Sequence, residues 1–273
     1  MLAHLPLLNS VNILGYQFPV TTIGAFLNIL FFVVIALLGA KKLKLNFSAS
    51  VLMVLLSFVI SNIISRIFFI ISRIYLHHDF AYQGKVFYFY TNQKISFGFI
   101  LAIFLAVLIG VYIYDLRKEV GRYFDIFSIA YLSLFFGRVG GALTRYHPGK
   151  ITDSFWGSYY LGHYRHEPSL YEAASLLLIF IIALFVRKKI KIAGLLALIV
   201  LAWVSLSRVI TDFFRNDDLL LANFNKANAF ETANYHFKNG LTFNQLVYFL
   251  VFISSAILIY FLYRKHKDNI VQT

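Results

Sequence analysis

Ala193-Gly194-Leu195-Leu196-Ala197-Leu198-Ile199-Val200-Leu201-Ala202-Trp203-Val204-Ser205-Leu206-Ser207-Arg208-Val209-Ile210-Thr211-Asp212-Phe213 decides the fold. A helix needs about 20 mostly apolar residues to cross the hydrocarbon core of a bilayer. This stretch is long enough, and its only charges, Arg208 and Asp212, stand near one end. Six more stretches read the same way: roughly 20–40, 51–74, 95–114, 124–144, 170–186 and 243–263. The expectation is an all-α polytopic membrane protein of about seven transmembrane helices, a single integral membrane domain over 1–273. Composition agrees. The 273 residues are 60% hydrophobic and 14% charged, whereas soluble domains carry about 25% charge, so a soluble enzyme is excluded. Thirty Phe and 18 Tyr exclude intrinsic disorder. The absence of Cys excludes disulfides, thiolate metal sites and a cysteine nucleophile in this chain. Neither a metal nor a cofactor is expected.

The 25 Lys+Arg against 12 Asp+Glu give a net charge of +13. A nucleic-acid binder would carry such charge on a soluble face; a membrane protein would carry it in the short loops of one side. The clusters Lys41-Lys42-Lys44, Arg117-Lys118-Arg122, Arg187-Lys188-Lys189-Lys191 and Arg264-Lys265-Lys267 all fall on one side of a seven-span chain. By the positive-inside bias the N-terminus is expected outside and the C-terminus inside, and no nucleic-acid partner is needed. Residues 1–12 lack the basic start and apolar core of a cleavable leader, so the first span is expected to stay. The outer loops, about 145–169 and 214–242, are candidates for a periplasmic cap.

Ionisable side chains within a bilayer cost about 2.5–3.5 kcal/mol each on insertion scales. On this topology Arg66, Arg73, Arg138, Arg208, Glu172 and Asp212 all lie in the outer half of the membrane. Arg138 is about six residues, or ~9 Å, below the outer end of its span. Arg73 reads as a snorkelling residue, Asp212 as an i, i+4 partner of Arg208, and Glu172 as an acid near a helix N-terminus. Arg66, Arg138 and Arg208 exceed the two acids in charge. A guanidinium binds phosphate bidentately, so depth and charge point to a site for an anionic phospholipid headgroup.

The residues around these charges are more specific: Phe136-Gly137-Arg138-Val139-Gly140-Gly141, then His166-Glu167-Pro168-Ser169-Leu170-Tyr171-Glu172, then Arg208-Val209-Ile210-Thr211-Asp212-Phe213-Phe214-Arg215-Asn216-Asp217, then Gly240-Leu241-Thr242-Phe243-Asn244-Gln245. Gly140 and Gly141 let a backbone or a lipid approach closely. In order and spacing the four segments resemble the bacterial prolipoprotein diacylglyceryl transferases, whose signatures run G-R-x-G-N-F-x-N-x-E, H-P-S-Q-L-Y-E, R-x-x-x-E-F-F-R-x-P-D and G-L-T-x-x-Q. The resemblance implies transfer of the diacylglyceryl group of phosphatidylglycerol to the lipobox cysteine thiol of a prolipoprotein, in the signal-peptide region, at the outer face of the bacterial inner membrane. It implies that Arg138 and Arg208 are the essential arginines, that Glu172 and Asp212 are the motif acids, and that Arg66 is the second-span arginine. Gly140, Gly141 and Tyr171 join the substrate-binding set by the same likeness.

Departures from the family pattern are as informative. Its S-F-H-G-G reads Ser96-Phe97-Gly98-Phe99, so the histidine proposed as thiol base is replaced by Gly98. The signature asparagines stand as Gly141 and Thr144, its closing acid as Tyr146, and the tyrosine four residues before the last arginine as Val204. Thiols have a pKa near 8.5, so some group must take the proton. His147 and His166 are the candidates, because imidazole titrates near neutrality. Two alternatives stay open: a divergent, non-catalytic binder of anionic phospholipid or of a partner protein, and a lipid-group transferase with another acceptor.

Overall fold

The computed structural model describes residues 10–13, 16–77, 96–144, 149–154, 156–160, 162–215 and 243–271. Each apolar stretch folds as helix: α1 Val20–Lys42, α2 Phe47–His77, α3 Ser96–Ile113, α4 Val120–Tyr131 followed by α5 Leu134–Leu143, α6 Pro168–Val186, α7 Leu195–Asp212 and α8 Phe243–Val271. Among the described residues six segments are long and apolar enough to cross a membrane, with Arg117–Leu143 counting as one; α3 is apolar but shorter over Gly98–Ile113. The chain is an all-α polytopic membrane protein with two small hairpins, β1 Ser10–Ile13 with β2 Tyr16–Pro19 and β3 Ser158–Tyr160 with β4 His163–Arg165. Phe26, Leu38, Leu55, Phe185 and Phe261 are exposed. In water such side chains would form adhesive patches; on membrane helices they are the lipid-facing surface.

Local chemistry sets the helix ends. Lys41 and Lys42 close the last turn of α1, where cations favour the helix dipole, and Lys44 turns the chain at a φ of 56°. Asn46 caps α2: its Oδ1 accepts from the Ala49 N–H at 3.0 Å. Pro168 opens α6 at a position where its missing N–H costs nothing. Gly194, at a φ of 86°, turns the chain into α7. The fourth span, expected as one helix, breaks at Leu132–Ser133. There the backbone tightens to three-residue bonds, Leu132 N–H to Ile129 O and Ser133 N–H to Ala130 O, and the Ser133 hydroxyl donates to Asn28 Oδ1 at 2.8 Å.

The chain divides into two compact units, Val33–Phe127 and the remainder. In the first, α2 and α3 pack side by side. Gly110 lies on Met53 and Gly98 on Ser65, Phe58 stacks on Phe99, and the Tyr123 hydroxyl donates to Asn46 O at 3.3 Å. In the second, α5 packs on α6, α6 on α7, and α7 on α8. The first turns of α1 lie close against α5. A Cβ on Gly24 would come within 2.8 Å of the Phe136 carbonyl oxygen, and one on Gly140 within 3.2 Å of the Val20 carbonyl. Phe31 stacks on Phe136 at 4.4 Å beside them. The glycine after Arg138 therefore admits a neighbouring backbone, one of the two uses expected for it.

A short strip ties the site's helices together in this second unit. Gly149 bridges to Arg215 and Ile151 to Arg165. Lys150 N–H donates to Phe214 O at 2.9 Å, and His166 N–H donates to Lys150 O at 3.0 Å. The lead into α6 and the end of α7 are thereby laced to one segment. The β3–β4 hairpin pairs Tyr159 with Tyr164 and turns at Gly162, whose φ is 80°. It occupies part of the loop expected as a cap; residues 216–242 of the other loop lie outside the described residues.

Candidate functional site

Three helices bring their charges to one point. α6 starts at Pro168, two residues earlier than the apolar run suggests, so Glu172 falls in the second turn and is buried. α5 places Arg138 opposite it: Arg138 Nε is 2.7 Å from Glu172 Oε2, an ionic contact outside hydrogen-bond alignment. α7 supplies Arg208, which donates from Nη1 to Glu172 Oε1, and Thr211, whose hydroxyl is 3.3 Å from the same oxygen. One turn past Asp212 the chain delivers a third guanidinium: Arg215 Nη2 donates to Glu172 Oε1 at 3.2 Å. Asp212 stands between two of them, its Oδ1 at 3.4 Å from Arg208 Nε and 3.2 Å from Arg215 Nε.

Arg208 and Asp212 share one face of α7 at i, i+4, and the turn after the helix brings Arg215 back onto Asp212. All five charged side chains are nearly removed from solvent; Arg138 is the most open, at 16%. Among the described residues, three guanidiniums against two carboxylates leave one positive charge in excess. Burying charge is tolerable only when it is paired, and among the described residues the pairing is one anion short. The arrangement can hold a monoanion such as a phosphodiester, with preorganised donors that need not reorganise as charge develops on it.

Of the residues expected in the site, Arg138, Arg208, Glu172 and Asp212 come together. Gly140 is used in helix packing, and Gly141 lies beside Ser169. Tyr171 and His166 form a pair of their own beside Phe214, the residue before Arg215. His166 Nδ1 and the Tyr171 hydroxyl share a hydrogen bond at 3.0 Å, and both rings pack on Phe214. Burial chiefly, and the nearby Lys150 charge, hold the His166 imidazole below its usual pKa, so it is neutral at pH 7. His147 lies outside the described residues, as does the Arg66 side chain, although α2 carries residue 66.

Arg215 was not expected here. It follows Phe213-Phe214, beyond the apolar run, and reads as a loop cation; the turn after Asp212 and the bridge to Gly149 place it. Two buried phenols also belong to the neighbourhood. Tyr131, at the end of α4, and Tyr248, on α8, are within electrostatic range of both Arg138 and Arg208. In the sequence they look like core aromatics. At Gly98 the family's histidine position is closed: a Cβ there would lie within 2.8 Å of the Ser65 backbone nitrogen. Among the described residues no group of three or more His, Asp or Glu converges to hold a metal.

Comparison with known proteins bears on this geometry. A phosphatidylglycerol–prolipoprotein diacylglyceryl transferase of Aliarcobacter butzleri is 34% identical over 120 residues, 42% of this chain and 44% of the relative. One of Wolinella succinogenes is 29% identical over 176 residues, 64% and 58% of the two chains. One of Campylobacter jejuni is 32% identical over 140 residues, 51% and 46%. The matched segments thus span about half the length of these curated relatives. The family profile described as prolipoprotein diacylglyceryl transferase matches residues 12–261, nearly the whole sequence with all five charged residues of the site, and the chain belongs to that family.

Proposed function

We propose that this chain transfers the diacylglyceryl group of phosphatidylglycerol to the lipobox cysteine thiol of a prolipoprotein, at the outer face of the bacterial inner membrane, with its N-terminus outside and its C-terminus inside. One observation carries the reading: Arg138, Arg208 and Arg215 converge on two buried acids with a positive charge to spare, in a chain of this family. The lipid phosphate takes the place of the missing anion. The thiolate sulfur then bonds to the glycerol carbon that carries the phosphate. The carbon–oxygen bond breaks, and glycerol phosphate departs with the electron pair. Charge rising on its oxygen is met by the guanidiniums. The thiol proton goes to a base. His166 is in the neutral, accepting form and lies two residues before α6; His147 is the other candidate.

The closed Gly98 position favours a second reading, in which the lipid is bound and no thiol is activated, or another acceptor is served. Purified chain in lipid nanodiscs, given phosphatidylglycerol labelled in its headgroup and a lipobox peptide, separates the two. Release of labelled glycerol phosphate in step with thioether formation is expected. Lipid binding without release would give the site to the second reading.

A further inference from the structure

Beside the guanidiniums lies a hydroxyl layer that phosphate binding does not use. Ser205, on α7, is fully buried, and among the described residues its Oγ has no hydrogen-bond partner. Three other helix serines fold back onto their own backbone: Ser57 Oγ donates to Met53 O at 2.7 Å, Ser255 to Val251 O at 2.7 Å and Ser50 to Asn46 O at 2.8 Å; buried Ser169, on α6, does not, among the described residues. Such a bond is the ordinary outlet for a hydroxyl on a membrane helix, and Ser205 does not take it. Ser205, Arg208 and Asp212 lie on one stripe at i, i+3, i+7. Arg208 is near the end of Leu195–Asp212, and Ser205 is a turn nearer its middle. On either orientation of the chain, residue 205 is a turn deeper along α7 than residue 208.

Tyr248 comes to the same level. Gln245 Nε2 donates to Val209 O at 3.4 Å, which ties the start of α8 to the end of α7. The two helices pack side by side, so they run antiparallel, and Tyr248, one turn beyond Gln245, comes level with the turn that holds Ser205. Tyr131 is buried nearby, within electrostatic range of Tyr248, Arg138 and Arg208.

In a phospholipid the groups immediately deeper than the phosphate are the two glycerol esters. Their carbonyls are acceptors, and in a dry site an acceptor without a donor is costly. We propose that Ser205, with Tyr248 and Tyr131 beside it, donates to an ester carbonyl of the lipid whose phosphate the guanidiniums hold. These are positioning residues. Fixed at its phosphate and at a carbonyl, the glycerol carbon between them has little freedom left, and that favours attack. The inference rests on the phosphate-site reading above.

Diester and diether phosphatidylglycerol differ only in these carbonyls. Binding of each to the full chain in detergent is measured by native mass spectrometry. Wild type is expected to prefer the diester about tenfold, and Ser205→Ala to bring the two lipids within about twofold. Tyr248→Phe, which keeps the ring, is expected to narrow the gap in the same direction and carries the test where Ser205→Ala fails to fold. A wild type without preference, or a preference unchanged in both variants, overturns the proposal. Arg138→Gln separates it from the reading beneath: weaker binding of both lipids at an unchanged ratio is expected. If Arg138→Gln alters neither lipid, the phosphate site itself is wrong and the carbonyl layer falls with it.

Discussion

Glu172 is the residue on which the site turns, because three guanidiniums point at one carboxylate. Glu172→Gln would leave those cations facing Asp212 alone. Breaking a buried ion pair by removing one partner costs about 3–5 kcal/mol. The variant is therefore expected to melt well below wild type in lipid-free detergent and to recover more than wild type does when phosphatidylglycerol is added, because the added lipid replaces the lost anion. Equal recovery in both would contradict the counterion role. His166 supports a second expectation. Its imidazole is held below its ordinary 6.5 by burial and by Lys150. Its folded pKa is lower than its unfolded one, so its contribution to stability is whole above pH 6.5 and is lost as pH falls through the lowered value. Melting temperatures at pH 7.5 and 5.5 are expected to fall further apart in wild type than in His166→Gln; equal spacing would contradict this. At this scale the sequence was legible where depth made charge expensive, as at Arg138, Arg208, Glu172 and Asp212. It was silent where burial comes only from packing: Arg215 follows the apolar run, and Ser205, Tyr131 and Tyr248 carry no charge to betray them.

Elements were legible wherever length and hydropathy sufficed, because a bilayer-spanning helix is the cheapest way to satisfy every backbone group in lipid. The break between α4 and α5 was not, since Ser133 breaks the span through a tertiary partner, Asn28, far away in sequence. The hairpins were not, being only three or four residues to a strand. Close helix contact also decides what the Gly98 position can become. Restoring the family's histidine there would press a side chain into the Ser65 backbone, and overpacking of this kind costs about 1–3 kcal/mol. Gly98→His is expected to lower the melting temperature without raising transfer activity. A variant as stable as wild type with higher turnover would show that α2 and α3 can part to admit the base.

For the whole molecule, the central claim is that membrane-buried guanidinium groups hold a phospholipid phosphate. Charge bookkeeping says how the claim can be tested without unfolding the protein. Replacing one arginine by glutamine leaves two guanidiniums against two carboxylates, a balanced cluster, so folding is expected to survive while the excess charge that attracts an anion is gone. The most direct measurement is the affinity of the full chain for phosphatidylglycerol against zwitterionic phosphatidylcholine, compared across wild type, Arg138→Gln and Arg208→Gln, with helicity recorded for each. Wild type is expected to select the anionic lipid, and each variant to lose at least about tenfold in that selectivity, as removal of a charge-assisted bond of roughly 1.5–3 kcal/mol implies. Folded variants that keep the wild-type selectivity would contradict the claim.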